Sequence, residues 1–178
     1  MISPLMTIYR TSITVTFFTF LFILQSAVVN RIDFLVGGFS LFLALTFSWI
    51  ASTDRAESFA SAFIAGFLLD LSPHLDSPVG LWTFTLLGLA YLISLYRESL
   101  GDLGERPFTW ALYLVATTTL ALTFYLIFAA LLGVDVPPIT AAIEEIFGNA
   151  IWTLLLSPIY FPLISRLRER LFSSRSQI

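Results

Sequence analysis

Long runs without a charged residue constrain the fold of this chain more than any other feature. Six such runs are bounded by Asp, Glu or Arg, and the longest extends over 28 residues from Pro107 to Val134. A helix needs roughly 20 apolar residues to cross a hydrocarbon layer of about 30 Å. Lipid-facing strands alternate apolar with polar residues, whereas these runs are apolar throughout, so they predict membrane-spanning helices.

We therefore predict an all-α membrane protein, a bundle of six transmembrane helices with both termini cytoplasmic. The chain is expected to form a single integral membrane domain over residues 1–178, with a basic cytoplasmic tail over residues 166–178. The predicted spans cover about residues 11–30, 34–53, 57–72, 78–96, 107–133 and 146–165.

The arginines predict the orientation. All nine basic residues are arginine, and six spans place eight of them on the side of the termini, with Arg31 alone opposite. Because cytoplasmic loops carry an excess of Lys and Arg, this division predicts cytoplasmic termini. The expected location is a membrane with both termini on its cytoplasmic side.

Composition excludes several other classes. Charged residues make up 12% of the chain, whereas an average soluble domain has about 25%. The net charge of −3 supplies no basic surface for nucleic acid. With no cysteine and one histidine, the chain lacks the ligand sets of common zinc sites. We expect no metal and no cofactor, and we expect membrane lipid as a partner.

Small residues recur at every fourth position in the third predicted span. Ser58, Ala62 and Gly66 share one helical face, because residues four apart are neighbours on a helix. Small side chains let two helices approach closely in lipid. The stripe is either an internal packing surface or a docking face for another membrane protein.

Asp70 continues this spacing and lies near the end of the third span. It is expected to cap the turn after the helix, to contact a partner or substrate, or to relay protons. If it caps the turn, Asp70→Asn should be nearly silent, because asparagine makes the same local bonds. A metal pair with His74 is disfavoured, because Pro73 and Pro78 interrupt helical spacing.

The last span and its flanks carry further polar features. Glu144 and Glu145 follow two prolines, and we interpret them as caps of a helix start rather than as an acid–base pair. Pro158 and Pro162 predict a kinked or early-ending helix. The tail presents Arg166, Arg168 and Arg170 to anionic lipid or to a cytoplasmic protein.

Residues 66–73 (GFLLDLSP), 77–81 (SPVGL) and 91–92 (YL) resemble the signature region of the rod-shape-determining MreD family. Valine at position 79 is a departure, since the family often has leucine there. The family-like positions, which are also possible partner contacts, are Gly66, Asp70, Pro73, Pro78, Gly80 and Tyr91.

The resemblance implies a non-enzymatic scaffold of the bacterial cell-elongation machinery, which builds peptidoglycan and sets rod shape. It implies a location in the bacterial plasma membrane and an MreC-like membrane-anchored partner, with RodA and MreB as further members of the complex. A small-molecule ligand is not expected. It also implies a fold similar to the substrate-binding S components of energy-coupling-factor vitamin transporters.

An S component is therefore the alternative function, and an intramembrane enzyme is a third. An S component needs an outward pocket with convergent polar groups. The polar residues predicted on the outer side are Asn30, Asp33, Asp70, His74, Asp76 and Asn149.

Overall fold

The structure is a computed structural model that describes residues 4–32, 34, 37–72, 78–100 and 107–172. These residues form six α-helices and one 3₁₀ turn, and they contain no strand, which confirms the all-helical prediction for this part of the chain. The elements are α1 (Pro4–Ala27), a 3₁₀ turn (Val29–Arg31), α2 (Leu41–Ser52), α3 (Arg55–Asp70), α4 (Leu81–Leu100), α5 (Pro107–Leu131) and α6 (Ile139–Phe172).

Three helical segments are long and apolar enough to cross a membrane. They are Thr11–Arg31, Pro107–Leu131 and Ile139–Tyr160, as judged by length and composition over the described residues. Leu41–Ser52 and Leu81–Tyr96 are apolar but shorter. Three of the six predicted spans thus contain a helix of full spanning length.

The second predicted span contains a much shorter helix. α2 begins at Leu41 rather than near residue 34, and its 12 residues at 1.5 Å each extend about 18 Å. Its start is capped by Ser40, whose Oγ accepts a hydrogen bond from the Leu43 N–H at 3.3 Å. The three residues immediately before Ser40, Gly37 to Phe39, are not helical, and both glycines pack on α6.

α2 forms the centre of the core. Every side chain from Phe42 to Ile50 is buried, which is typical of a helix that is apolar on all sides. Aromatic rings of α1 cover it: Phe17 stacks on Trp49 with centroids 4.7 Å apart, and Phe18 meets the same indole edge-on at 6.2 Å. α1, α3, α5 and α6 pack around α2 and bury it from the exterior.

The outer surface of the bundle is apolar. Large side chains that are more than half exposed occur on five of the helices, for example Phe20, Phe63, Phe84, Phe108 and Leu155. A soluble monomer rarely exposes such extended apolar area. A hydrocarbon solvent, by contrast, requires it.

α6 differs most from its prediction. It begins at Ile139 rather than near residue 146, and it continues through Pro158 and Pro162 to Phe172. Of the two expectations from the prolines, the early end was wrong and the kink stays a prediction. Pro158 cannot donate to the carbonyl of Leu154, but the Ser157 hydroxyl donates to that oxygen at 2.8 Å. Such a side-chain donor satisfies the freed carbonyl and lets the helix continue.

Candidate functional site

The small-residue stripe lies inside the bundle. Ser58, Ala62 and Gly66 are buried against the chain's own helices. The Ser58 hydroxyl lies 3.0 Å from the Ile50 carbonyl of α2, so it ties α3 to the preceding helix. This arrangement leaves no part of the stripe exposed for docking a partner helix.

Gly66 lies where α3 and α4 cross. A Cβ atom at this position would lie 2.8 Å from the backbone nitrogen of Thr83 and 3.0 Å from the carbonyl oxygen of Trp82. Real Cβ atoms almost never come this close to backbone atoms. Only glycine therefore permits this separation of the two helices.

Asp70 reaches from the last turn of α3 to the first turn of α4. Its Oδ1 accepts a hydrogen bond from the Trp82 N–H at 2.9 Å, and its Oδ2 accepts from the Thr83 N–H at 3.0 Å and the Thr83 hydroxyl at 2.6 Å. We call this arrangement the Asp70 clasp. The carboxylate satisfies N–H groups that a helix start leaves free, and its charge lies at the positive end of the α4 dipole.

The clasp changes the expectation for Asp70→Asn. We predicted local bonds within the turn, which asparagine would reproduce, but both carboxylate oxygens are acceptors of N–H groups on another helix. The asparagine side chain would replace one of these two acceptors with an NH₂ group, which is a donor and cannot accept a hydrogen bond from the backbone N–H that it faces. The substitution is therefore not expected to be silent.

The remaining family-like positions are distributed around the clasp. Pro78 and Gly80 lie in the turn before α4, and together with Phe84 and Leu131 they line an open apolar groove. Tyr91 lies two turns further along α4 and is half exposed. Pro73 lies outside the described residues, as do Asp33, His74 and Asp76 among the predicted outer polar residues.

The basic tail continues α6. Arg166 is exposed on this helix, where it can meet lipid headgroups or a cytoplasmic partner. Arg168 and Arg170 belong to the same helix, and their side chains lie outside the described part of the structure. The backbone of the tail is thus helical up to Phe172.

A polar network that the sequence did not predict joins α1 to the start of α2. The Gln25 amide donates to Asn30 Oδ1 at 2.7 Å and to the Phe39 carbonyl at 3.1 Å. Its own oxygen accepts from the Phe42 N–H at 3.2 Å. The only advance signal was an amide within the first apolar run, because such a residue in a predicted span is expected to face protein.

α6 contacts the residues just before α2. Asn149, which is 1% exposed, accepts a hydrogen bond from the Ser40 N–H at 2.8 Å through Oδ1. Gly37 has a φ of +53° and packs on the carbonyl of Glu144, and an added Cβ would lie 3.1 Å from the Gly148 Cα. Glu144 and Glu145 lie in the second turn of α6, where they contact Gly37 and Gly38 before α2. Their interpretation as helix-start caps was therefore wrong.

These contacts enclose a cavity of about 300 Å³ at the end of the bundle where α1 and α3 finish and α2, α4 and α6 begin. Its polar lining includes Gln25, Asn30, Ser40, Ser72, Glu145 and Asn149. Leu43, Leu69, Leu122 and Trp82 supply apolar wall. Of the predicted outer polar residues, Asn30 and Asn149 thus meet in one cavity, and the Asp70 clasp fixes the backbone of its wall residue Trp82.

Gln25→Leu should lower the free energy of unfolding by about 2 kcal/mol, because it leaves the buried Phe42 N–H and Phe39 carbonyl without this partner. Thermal unfolding of the purified protein in detergent measures the loss. Thr16→Val is the control on the same helix, because the exposed Thr16 hydroxyl bonds only within α1, to the Ser12 carbonyl. An unchanged midpoint for Gln25→Leu would show that the network does not hold α1 against α2.

Comparison of the chain with protein-family profiles, with curated proteins and with solved structures finds no match.

Proposed function

We propose that the chain is a six-pass protein of the bacterial plasma membrane with both termini cytoplasmic. Three helical segments of spanning length support a membrane location. α2, α3 and α4 complete the six passes in this proposal, since their neighbours shield the shortest of them, α2, from the exterior. The eight-to-one division of arginines supports the orientation.

Within that membrane, we propose a non-enzymatic scaffold of the cell-elongation complex that builds peptidoglycan. The observation that carries this proposal is the corner between α3 and α4, where Gly66 and Asp70, two of the residues that resemble the MreD family, fix two helices together. Asp70, the acid near the end of the third predicted span, is engaged as a structural acceptor there. A rigid bundle with an apolar exterior serves recognition by other membrane helices.

The partner surface in this proposal is the exposed side of α4. Tyr91 is 50% exposed, and Phe84, seven residues earlier and on the same side of the helix, is 61% exposed. Aromatic side chains dominate the binding energy of many interfaces. An MreC-like protein with one membrane helix is the proposed occupant, and RodA and MreB are further members of the complex. Arg166 would meet anionic lipid or a cytoplasmic member.

Depletion of the protein from rod-shaped host cells tests the scaffold role and is expected to make the cells round.

Tyr91→Ala should reduce co-purification of the MreC-like protein about fivefold or more, because loss of an aromatic anchor costs about 1 kcal/mol or more. Phe108→Ala is the control, because Phe108 is an aromatic residue on α5 that is even more exposed than Tyr91, at 74%. Unchanged cell shape together with unchanged co-purification would contradict the scaffold proposal.

A second candidate is the S component of an energy-coupling-factor vitamin transporter. The cavity of about 300 Å³ with Asn30 and Asn149 in its lining favours it, because such a subunit needs a polar pocket on the outer side. Mass spectrometry of the purified protein separates the two candidates. A stoichiometric vitamin favours the transporter, and its absence favours the scaffold.

A further inference from the structure

The cavity between α1, α2, α4 and α6 holds polar groups whose hydrogen-bonding capacity the protein does not use. The side-chain NH₂ of Asn149 and the indole N–H of Trp82 are both buried and have no hydrogen-bond partner among the residues that the structure describes. Asn149 is 1% exposed and Trp82 is 7% exposed, and both residues line the same cavity. A buried donor without an acceptor costs about 1–3 kcal/mol, so two in one lining indicate that an acceptor from outside the chain completes the site.

A negatively charged hydrogen-bond acceptor lies at the exposed side of the cavity. Glu145 contributes a carboxylate to the lining, and its side chain packs near Gly38, with its Oε1 3.8 Å from where a Cβ of that glycine would stand. The side chain of Glu145 is exposed, so a solute approaching the cavity meets this charge first. The side chain of Gln25 is already hydrogen-bonded to Asn30, Phe39 and Phe42. Glu145 is the charged residue of the lining.

Size and wall chemistry narrow the class of ligand. A cavity of about 300 Å³ lies at the lower limit of small-molecule pockets, which run from about 300 to 1,000 Å³. Leu43, Leu69 and Leu122 give it apolar sides. A small amphipathic molecule fits these dimensions better than a nucleotide or a peptide.

We propose that this cavity binds a small amphipathic amine, with the protonated amine at Glu145 and a carbonyl-type acceptor at the N–H groups of Trp82 and Asn149. The site does not depend on the scaffold role, since its residues lie apart from the exposed side of α4. It would serve equally in a scaffold that senses an extracellular solute or in a solute-binding subunit. The Asp70 clasp positions the site, because it holds the backbone N–H of Trp82.

Cysteine chemistry tests the charge selectivity of the cavity in the purified full chain, which has no native cysteine. Ser72→Cys places one thiol in the lining. The cationic reagent 2-aminoethyl methanethiosulfonate should modify it roughly tenfold faster than the anionic 2-sulfonatoethyl reagent, because the carboxylate in the same cavity lining attracts one and repels the other. Glu145→Gln should remove most of this preference, whereas it should leave the rates at the exposed control thiol of Val28→Cys unchanged.

Ligand protection tests binding itself. Leucinamide carries an amine, an amide oxygen and an apolar side chain, and it should slow modification of Ser72→Cys at least threefold at millimolar concentration. N-acetylleucine lacks the amine and should not protect. Trp82→Phe keeps an aromatic wall and removes one free N–H, so it should weaken leucinamide protection about fivefold while leaving thermal stability close to that of the parent protein.

The proposal is overturned if both reagents react equally fast at Ser72→Cys, or if Glu145→Gln has no effect on their ratio. It is also overturned if leucinamide and N-acetylleucine protect equally or not at all. These measurements use purified protein, so they are distinguishable from a failure of the cell-shape experiment. Neither Glu145→Gln nor Trp82→Phe removes a hydrogen bond between side chains of the described residues. Because Trp82 also stacks on Tyr125, the thermal midpoint of each variant is measured beside the labelling rates to confirm that it is folded.

Discussion

Asp70→Ala is expected to lower the free energy of unfolding by about 4 kcal/mol, roughly twice the loss expected for Gln25→Leu. It leaves the N–H groups of Trp82 and Thr83 and the Thr83 hydroxyl without their acceptor. Each unsatisfied buried donor costs about 1–3 kcal/mol, and the favourable interaction of a negative charge with the start of α4 is lost as well.

Asp70→Asn should retain about half of the stabilisation, because its one amide oxygen replaces one of two carboxylate oxygens and its NH₂ faces a donor. We expect a loss of about 2 kcal/mol, measured as a fall of the thermal midpoint in detergent of roughly 2–4 °C per kcal/mol. Asp54→Asn is the matched control. Asp54 caps α3 through a single exposed bond to the Glu57 N–H at 2.9 Å, and asparagine is an equally good N-cap.

Equal, small effects at positions 70 and 54 would contradict the clasp. They would show that the Asp70 carboxylate is exposed to water in the folded protein and that its three hydrogen bonds contribute little. A large effect at position 54 alone would place the important cap at α3 instead of α4.

Gly66→Leu is expected to prevent the native packing of α3 on α4, so that little folded protein accumulates. Even a methyl group would press on the backbone of Trp82 and Thr83, which cannot move without displacing the start of α4. Gly66→Ala is therefore the milder test, with an expected loss of about 3 kcal/mol from overpacking. The yield of monodisperse protein in detergent and its thermal midpoint measure the two effects.

Gly88→Ala provides the control within the partner helix. A Cβ at Gly88 meets no atom within 4 Å, and alanine is favoured over glycine in a helix by up to about 1 kcal/mol. This variant should be as stable as the parent protein or slightly more stable. Native behaviour of Gly66→Ala would show that α3 and α4 do not approach as closely as the structure indicates.

The substitutions at Asp70 and Gly66 act on folding, so they are not suitable for testing partner binding. If the chain has the proposed scaffold role, a cell that carries Asp70→Ala would lose its rod shape simply because little folded protein is present. Tyr91→Ala separates the two effects, because the Tyr91 side chain is half exposed and its loss removes little buried packing between the helices.

The helical class and the approximate position of each helix could be predicted from the charge-free runs. The bounds could not, and α6 shows why: two glutamates suggested a start near residue 146, yet the helix extends back to Ile139 with both acids in its second turn. Charges mark where a chain leaves hydrocarbon, whereas a helix ends where its backbone hydrogen bonds end. The two ends coincide only when the helix stops at the membrane surface.

Only the part of the candidate site that depends on local spacing could be predicted from the sequence. Ser58, Ala62 and Gly66 were recognisable as a packing stripe because their spacing of four is a local property of one helix. The partner of Asp70 was not recognisable, because it lies 12 and 13 residues away on another helix. An amide side chain within an apolar run, such as that of Gln25, gives no indication of which backbone groups it will bond.

The sequence by itself determined that this chain is helical, that its exterior is apolar and that small residues line one face of α3, because hydropathy and spacing act along the chain. The tertiary structure alone decided that α2 is short and buried on all sides, that Asp70 caps α4 and that Trp82, Glu145 and Asn149 share one cavity. Those features depend on contacts between residues distant in sequence. Their energies arise from close approach and from hydrogen-bond satisfaction in a medium without water, which no local pattern encodes.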